Sequence, residues 1–252
     1  MIRTSWTDPN AIYVGLKAGS PSVNHAHMDI GTFVMDALGE RWSMDFGMQD
    51  YESLESKGVK LWEKEQDAER WQVYRYNNYA HSTLTLNGQL QRVEGYAAIT
   101  NTTDKTTFLS ATTDMTDLYK NEAASAKRGI AIVDQKYVVV KDEVTAGGKA
   151  TTIKWAMITP ADVRITDNTT ATLTQNGKSL QIKVLEPSNI TLKTWSTQPS
   201  HDYDAPNTGT TLVGFEVTLP SNAKGTLNVQ LIPEGIMVNK ETQIPSLSDW
   251  KK

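Results

Sequence analysis

Apolar and polar positions alternate in short runs along most of this chain, and the runs recur at roughly 8–12-residue spacing, as strands do in a sandwich or barrel. They cover Ala11–Leu16, Gly31–Ala37, Arg41–Phe46, Ser82–Leu86 and Thr106–Thr112, then Tyr137–Val144, Thr151–Ile158, Ser179–Val184, Thr211–Leu219 and Gly225–Ile232. A period of two sends successive side chains to opposite faces of a pleated sheet, so each run can bury one face and wet the other. Leu38-Gly39, Asn87-Gly88, Gly147-Gly148 and Asn176-Gly177 fall between runs, where positive φ costs little, and read as hairpin turns. The pattern predicts an all-β protein, a large antiparallel two-sheet sandwich.

One stretch breaks the alternation. From Asp50 to Tyr76, Leu54, Leu61, Trp62 and Trp71 sit among many charges without a sustained period, which predicts a loop insertion carrying one or two short helical turns. Beyond about Pro160 the chain turns rich in Thr and Asn, with His201-Asp202-Tyr203-Asp204 as its remaining ionisable cluster, so that half reads as scaffold. No internal repeat or low-complexity tract forces a cut, and 1–252 reads as one module with a weak possible subdivision near 160.

Composition narrows the chemistry. A formal net charge of −4 argues against the broad basic surface that drives nonspecific nucleic-acid binding, although a local cleft could still read a polyanion. No run reaches the roughly 18 apolar residues a membrane helix needs, and the opening Met1 to Trp6 lacks the apolar stretch of a secretory signal. The chain has no cysteine, so any metal must be held by His, Asp or Glu.

The segment Ser22-Val23-Asn24-His25-Ala26-His27-Met28-Asp29 carries two of the chain's four histidines within three residues. If extended, it sends His25, His27 and Asp29 to one side at period two. Asp45, at the far end of the hairpin turning at Leu38-Gly39, folds back toward His27, and His81 stands before the run Ser82–Leu86. Two imidazoles and a carboxylate with an open fourth place make ordinary zinc chemistry where thiolates are absent. A His-x-His pair alone is weak, since such residues are commonly plain polar loop positions. Asp45 read blandly is a turn cap, and His81 a buried histidine satisfied by backbone.

Three strings sharpen this: Gly19 to Phe33, Arg41-Trp42-Ser43-Met44-Asp45-Phe46-Gly47, and Tyr76-Asn77-Asn78-Tyr79-Ala80-His81-Ser82-Thr83-Leu84. Together they resemble the signature of the heparinase II/III-like polysaccharide lyases, most densely over residues 11–95. The resemblance implies a supersandwich-like fold with His27, Asp45 and His81 as zinc ligands, His25 in the active cleft as an acid/base or charge-neutralising group, and Asn24 near the substrate carboxylate. The family's histidine followed by Asn-Thr appears here as His81-Ser82-Thr83, a mild departure. The implied zinc is structural, stiffening the loop that bears His25.

Such lyases cut an acidic, uronate-containing polysaccharide by β-elimination, in which a base takes the proton beside the carboxylate and an acid protonates the leaving oxygen. In the family the principal catalytic tyrosine comes from an N-terminal helical toroid domain, and no comparable helical sequence occurs here. The expectation is therefore the β part of a lyase, a fragment whose isolated form is inactive, with a periplasmic or secreted setting by family analogy. A noncatalytic carbohydrate-binding or scaffold module and a zinc hydrolase are the competing classes.

For the remaining residues the bland reading leads. Asp29 reads as a second-layer or turn residue. Trp62, Trp71, Tyr51, Tyr74, Tyr76 and Tyr79 could stack on sugars but read mostly as core. Lys57, Lys60, Lys64, Arg70 and Arg75, offset by neighbouring acids, read as a solvated mixed-charge face. His201 carries no assigned chemistry.

Overall fold

The computed structural model describes residues 1–238 and 243–250. Among these residues sixteen strands occur: β1 Ile2–Arg3, β2 Tyr13–Leu16, β3 Phe33–Ala37, β4 Glu40–Ser43, β5 Leu84–Leu86, β6 Ile99–Lys105, β7 Phe108–Asp114 and β8 Ala123–Val133. They continue with β9 Tyr137–Ala146, β10 Thr151–Thr159, β11 Asp162–Asp167, β12 Thr170–Gln175, β13 Lys178–Glu186, β14 Lys193–Ser196, β15 Thr211–Leu219 and β16 Lys224–Pro233. The protein is an all-β sandwich. Every run expected from alternation contains a strand.

One layer is an eight-stranded sheet in the order β11-β12-β13-β16-β9-β8-β7-β6. The facing layer differs from the expected single sheet, because it is split into β1-β2-β3-β4 and β14-β15-β10-β5. The two halves meet where the Met44 N–H donates to the Ile158 carbonyl at 3.0 Å. A continuous core joins all three sheets, with Phe33 and Met35 of the first small sheet, Leu84, Trp155 and Phe215 of the second, and Ile130, Val140 and Val229 of the large one. Strands from both sides of Pro160 share sheets, since β9 pairs with β16 and β10 with β15.

Two expected hairpins hold. Leu38-Gly39 turns β3 into β4 with φ of 58° and 75°, and Asn176-Gly177 turns β12 into β13 with φ of 50° and 74°. The other two are corrected. Asn87-Gly88 does take positive φ, but β5 pairs with β10, and β6, next in sequence, belongs to the large sheet. Gly147-Gly148 likewise leads from β9 in one layer to β10 in the other. A turn dipeptide marks a reversal of direction; it does not say which strands pair.

The long strand β8 escaped the alternation because it is apolar on both faces. Ala126, Ile130 and Ile132 face the main core, while Ala131 and Val133 pack on the opposite side with Leu247 and Trp250 of the C-terminal segment. A Cβ on Gly129 would lie 2.4 Å from Leu247 and 2.6 Å from Trp250, so this close approach requires glycine.

The insertion after β4 contains one short helix, α1 (Tyr51–Glu55), capped by Asp50, and three 3₁₀ turns between Glu69 and Ala80. Its apolar residues build a satellite core of their own, with Leu54, Leu61, Trp71, Val73 and Tyr76 gathered on Met28. The insertion thereby clasps the segment that carries the paired histidines.

Candidate functional site

The Asn24 to Gly31 segment belongs to the connection between β2 and β3, and buried side chains hold its backbone from several directions. Arg70 donates to the Ala26 carbonyl at 2.7 Å, and the Met28 N–H donates to the Tyr76 carbonyl at 2.9 Å. The Gln91 amide accepts from the Ile30 N–H at 3.1 Å and donates to the Ile30 carbonyl at 2.8 Å. Gly31 takes φ of +83°, and a Cβ there would meet the Met115 sulfur at 2.2 Å. Arg128, reaching inward from β8, donates to the carbonyls of Gly31 at 2.8 Å and Ser82 at 3.0 Å. One guanidinium thus ties the backbone just past the paired histidines to the backbone just past His81. Arg128 is itself held by both Asp142 oxygens, and both side chains are fully buried.

His25 and His27 do not project to the same side. His25 adopts φ of +59°, a left-handed conformation uncommon for a non-glycine residue, which breaks the period-two alternation. The exposed His25 ring is held by the Tyr51 hydroxyl at 2.8 Å, whereas His27 turns inward, 7% exposed, and stacks on Tyr76 at 4.4 Å. Asn24 is exposed and accepts from the Lys64 ammonium at 3.0 Å.

The inward residues form a tight polar cluster. His81, buried, contacts Asp45 Oδ2 through Nδ1 at 2.7 Å and the Arg75 carbonyl through Nε2 at 3.0 Å. Burial lowers the His81 pKa, but the charge and hydrogen bond of Asp45, the charge of Asp29 and the Arg75 carbonyl outweigh it and leave the imidazole raised. Burial likewise pushes Asp45 up, yet His81, the Gly47 N–H and His27 together hold its carboxyl at about 2. His27 is driven down to about 3, first by burial and then by the positive charges of His81, Lys17 and Arg70. A neutral imidazole is the protonation state a metal ligand needs, a direction that His27 follows and His81 does not.

His27, Asp29 and His81 each offer a ligand atom, and the three atoms lie within 4.8 Å of one another. Asp45 adjoins this group through His81. Asp29 is ion-paired to Lys17 at 2.6 Å through Oδ2, while its buried Oδ1 has no hydrogen-bond partner. Two donors on one tetrahedral zinc lie about 3.3 Å apart, given metal–ligand bonds of about 2.0–2.2 Å. The 2.7 Å contact between Asp45 and His81 is a hydrogen bond, shorter than that spacing. The Nε2 contact to Arg75 matches the outer hydrogen bond by which ligating histidines are oriented. The donor set suits zinc: two imidazoles, oxygen donors and no thiolate.

His25, His27, Asp29, Asp45 and Lys17 share an open cleft of about 460 Å³, within the usual range of ligand sites. Sequence alone did not single out Lys17, Gln91 or Arg128, and their spacing carries no motif. Arg70, expected on a solvated face, is buried instead, its charge lying over the Trp71 and Tyr76 rings. Of the aromatics considered for sugar contact, Trp71 and Tyr76 are core, while Trp62 is 58% exposed. His201 is exposed and near Asp204, whose carboxylate accepts from the Tyr74 N–H of the insertion at 2.9 Å.

The family described as "Heparinase II/III-like, C-terminal" matches residues 4–233. The chain belongs to this family. Similar solved structures include a heparinase III gene product, with a TM-score of 0.70 at 20% identity over 92% of this chain and 34% of that one. Heparan sulfate lyase HepC from Pedobacter heparinus aligns with a TM-score of 0.70 at 19% identity over 92% of this chain and 34% of its own. Another heparinase III gives 0.71 at 15% identity, covering 92% and 35%. At these identities the likeness establishes the fold of this heparinase II/III-like chain, which spans about a third of the length of those structures. No curated protein matches the chain.

Proposed function

We propose that this chain is the β-sandwich part of a polysaccharide lyase that cleaves a uronic-acid-containing polysaccharide by β-elimination. The observation that carries the reading is the divergence at His25. One histidine of the pair is held out over a cleft by Tyr51, while the next, two residues on, turns into a buried cluster of metal-competent groups. Backbone strain at an exposed, well-held polar residue points to function.

In this reading His25 exchanges a proton with the sugar or offsets the charge that grows beside the carboxylate, and Asn24 contacts that carboxylate. His27, Asp45 and His81 would hold zinc, with Asp29 beside them, and a bound ion would stiffen the loop that bears His25. An N-terminal helical toroid domain would bring the catalytic tyrosine, and a periplasmic or secreted setting goes with such a substrate. The test is the absorbance of unsaturated uronate product from heparan sulfate, chondroitin, hyaluronan and alginate, using this chain alone and joined to such a domain. Turnover by the joined protein that His25→Ala abolishes supports the reading; undiminished turnover by that variant contradicts it.

A further inference from the structure

Trp62 is a large ring left in water beside His25, and it is held firmly there. Its indole N–H donates to Glu55 Oε1 at 2.7 Å. The ring stands edge-on to Tyr51 at 5.3 Å and to His25 at 5.8 Å, with interplanar angles of 80° and 90°. Tyr51 and Trp62 come from the insertion whose satellite core clasps Met28, so the platform and the His25 loop are fixed relative to each other. An exposed aromatic ring costs solvation without a core to offset it, and two edge contacts and one hydrogen bond leave it little rotational freedom to lose on binding.

Groups of both signs stand beside the ring, Lys64 as the cation and Glu55, Glu63 and Glu65 as the acids. Lys64 places its ammonium on Asn24 Oδ1 at 3.0 Å and pairs with no carboxylate among the described residues. Three neighbouring acids have partners other than the Lys64 ammonium: Glu55 with the indole, Glu63 with Lys60 at 3.6 Å, and Glu65 with the Lys64 backbone N–H at 3.0 Å. A shallow depression whose lining includes Asn24, His25, Trp62, Glu63, Lys64 and Arg70 adjoins the main cleft through His25, which borders both.

We propose that Trp62 and Lys64 form an outer subsite for an acidic sugar residue, the pyranose face lying on the indole and the anionic substituent on the ammonium. The inference rests on the carbohydrate reading of the His25 cleft and adds a direction to it, since the chain would leave the cleft over His25 toward the insertion. A pyranose presents an apolar face of axial C–H groups and a polar rim, which suits an aromatic plane beside a cation. The anion can be a uronate carboxylate or a sulfate, and both satisfy the same ammonium.

The experiment is an NMR titration of the 252-residue chain with tetrasaccharides, following the Trp62 indole N–H and the His25 ring signals. The probes are an unsulfated glucuronate-containing oligomer, a sulfated heparan-type oligomer and neutral cellotetraose. Both acidic probes, or the sulfated one alone, should shift both residues; the second pattern assigns the anion as sulfate. Trp62→Ala should weaken binding about three- to tenfold, Trp62→Phe should restore most of it, and Lys64→Gln should weaken it about threefold with a shallower salt dependence. Acidic probes that shift His25 while Trp62→Ala binds like the wild type would overturn the subsite and leave the cleft reading intact. Cellotetraose binding as tightly as the acidic probes would overturn the role of Lys64. If no acidic oligomer shifts either residue at millimolar concentration, the subsite and the carbohydrate reading fall together.

Discussion

Replacing Arg128 with methionine removes the guanidinium but keeps most of the side-chain volume. Asp142 is then left in a fully buried site without the two hydrogen bonds, at 2.7 and 3.0 Å, that it receives from Arg128. The carbonyls of Gly31 and Ser82 each lose a donor as well. Breaking a buried pair by removing one partner costs about 3–5 kcal/mol, and an orphaned buried carbonyl about 1–3 kcal/mol more, not additively. We expect a loss of about 4 kcal/mol, a large share of the roughly 5–15 kcal/mol that holds a domain folded.

Burial already pushes the Asp142 carboxyl up against the pull of Arg128. In the variant it rises further and takes up a proton, so the folded state binds more protons than the unfolded one and stability falls as pH increases. Equilibrium urea unfolding at pH 6 and pH 8 measures both effects, with the larger loss expected at pH 8. Arg128→Met with Asp142→Leu leaves no buried charge and should recover much of the loss. A single-variant loss below about 1 kcal/mol, or a double variant as unstable as the single, would refute the assignment of Arg128 as the paired clamp between the two loops.

Further outcomes follow from the same geometry. In metal-free protein, the stability difference between wild type and Asp45→Asn should be greatest between about pH 4 and 6.5. It shrinks as pH rises through the raised His81 value, and again as pH falls from 3.8 toward about 2 where Asp45 protonates; urea melts across pH test this. Gly31→Ala should cost about 1–3 kcal/mol, because φ is +83° and the new methyl meets Met115 and Thr83; a neutral effect in thermal melts would contradict the strained position. His25→Gly should stay within about 1 kcal/mol of wild-type stability, since glycine relieves the positive φ, while abolishing any lyase turnover of the joined protein; a large loss of stability would mean that His25 is structural.

Alternation located ten of the strands, but β6, β11, β12 and β14 gave no run although each has wet positions, because their Thr-containing sequences hold few apolar residues to alternate. β8 lacked alternation for another reason: its outer face is covered by Leu247 and Trp250, and its inner face spends one position on Arg128. Pairing between layers was also hidden, since Asn87-Gly88 and Gly147-Gly148 signal turns but not destinations. The motif strings pointed to His25, His27, Asp45 and His81, yet the opposite orientations of the two paired histidines came from one backbone angle at His25 that no spacing encodes. Asp29 lies closer to the metal-competent group than its reading as an outer residue suggested. Lys17, Gln91 and Arg128 are distant in sequence from the groups they hold, so three-dimensional contact alone reveals them.

Under the proposed function, side chains far apart in sequence gather about one ion at the edge of the His25 cleft. Elemental analysis of the protein purified without added metal, repeated for His27→Ala and Asp45→Ala, tests that claim most directly. About one zinc per chain in the wild type, lost from both variants together with the chelator-sensitive part of the melting temperature, is the predicted result. Stoichiometric zinc retained by both variants, or a wild-type protein that neither carries nor takes up metal, would contradict it.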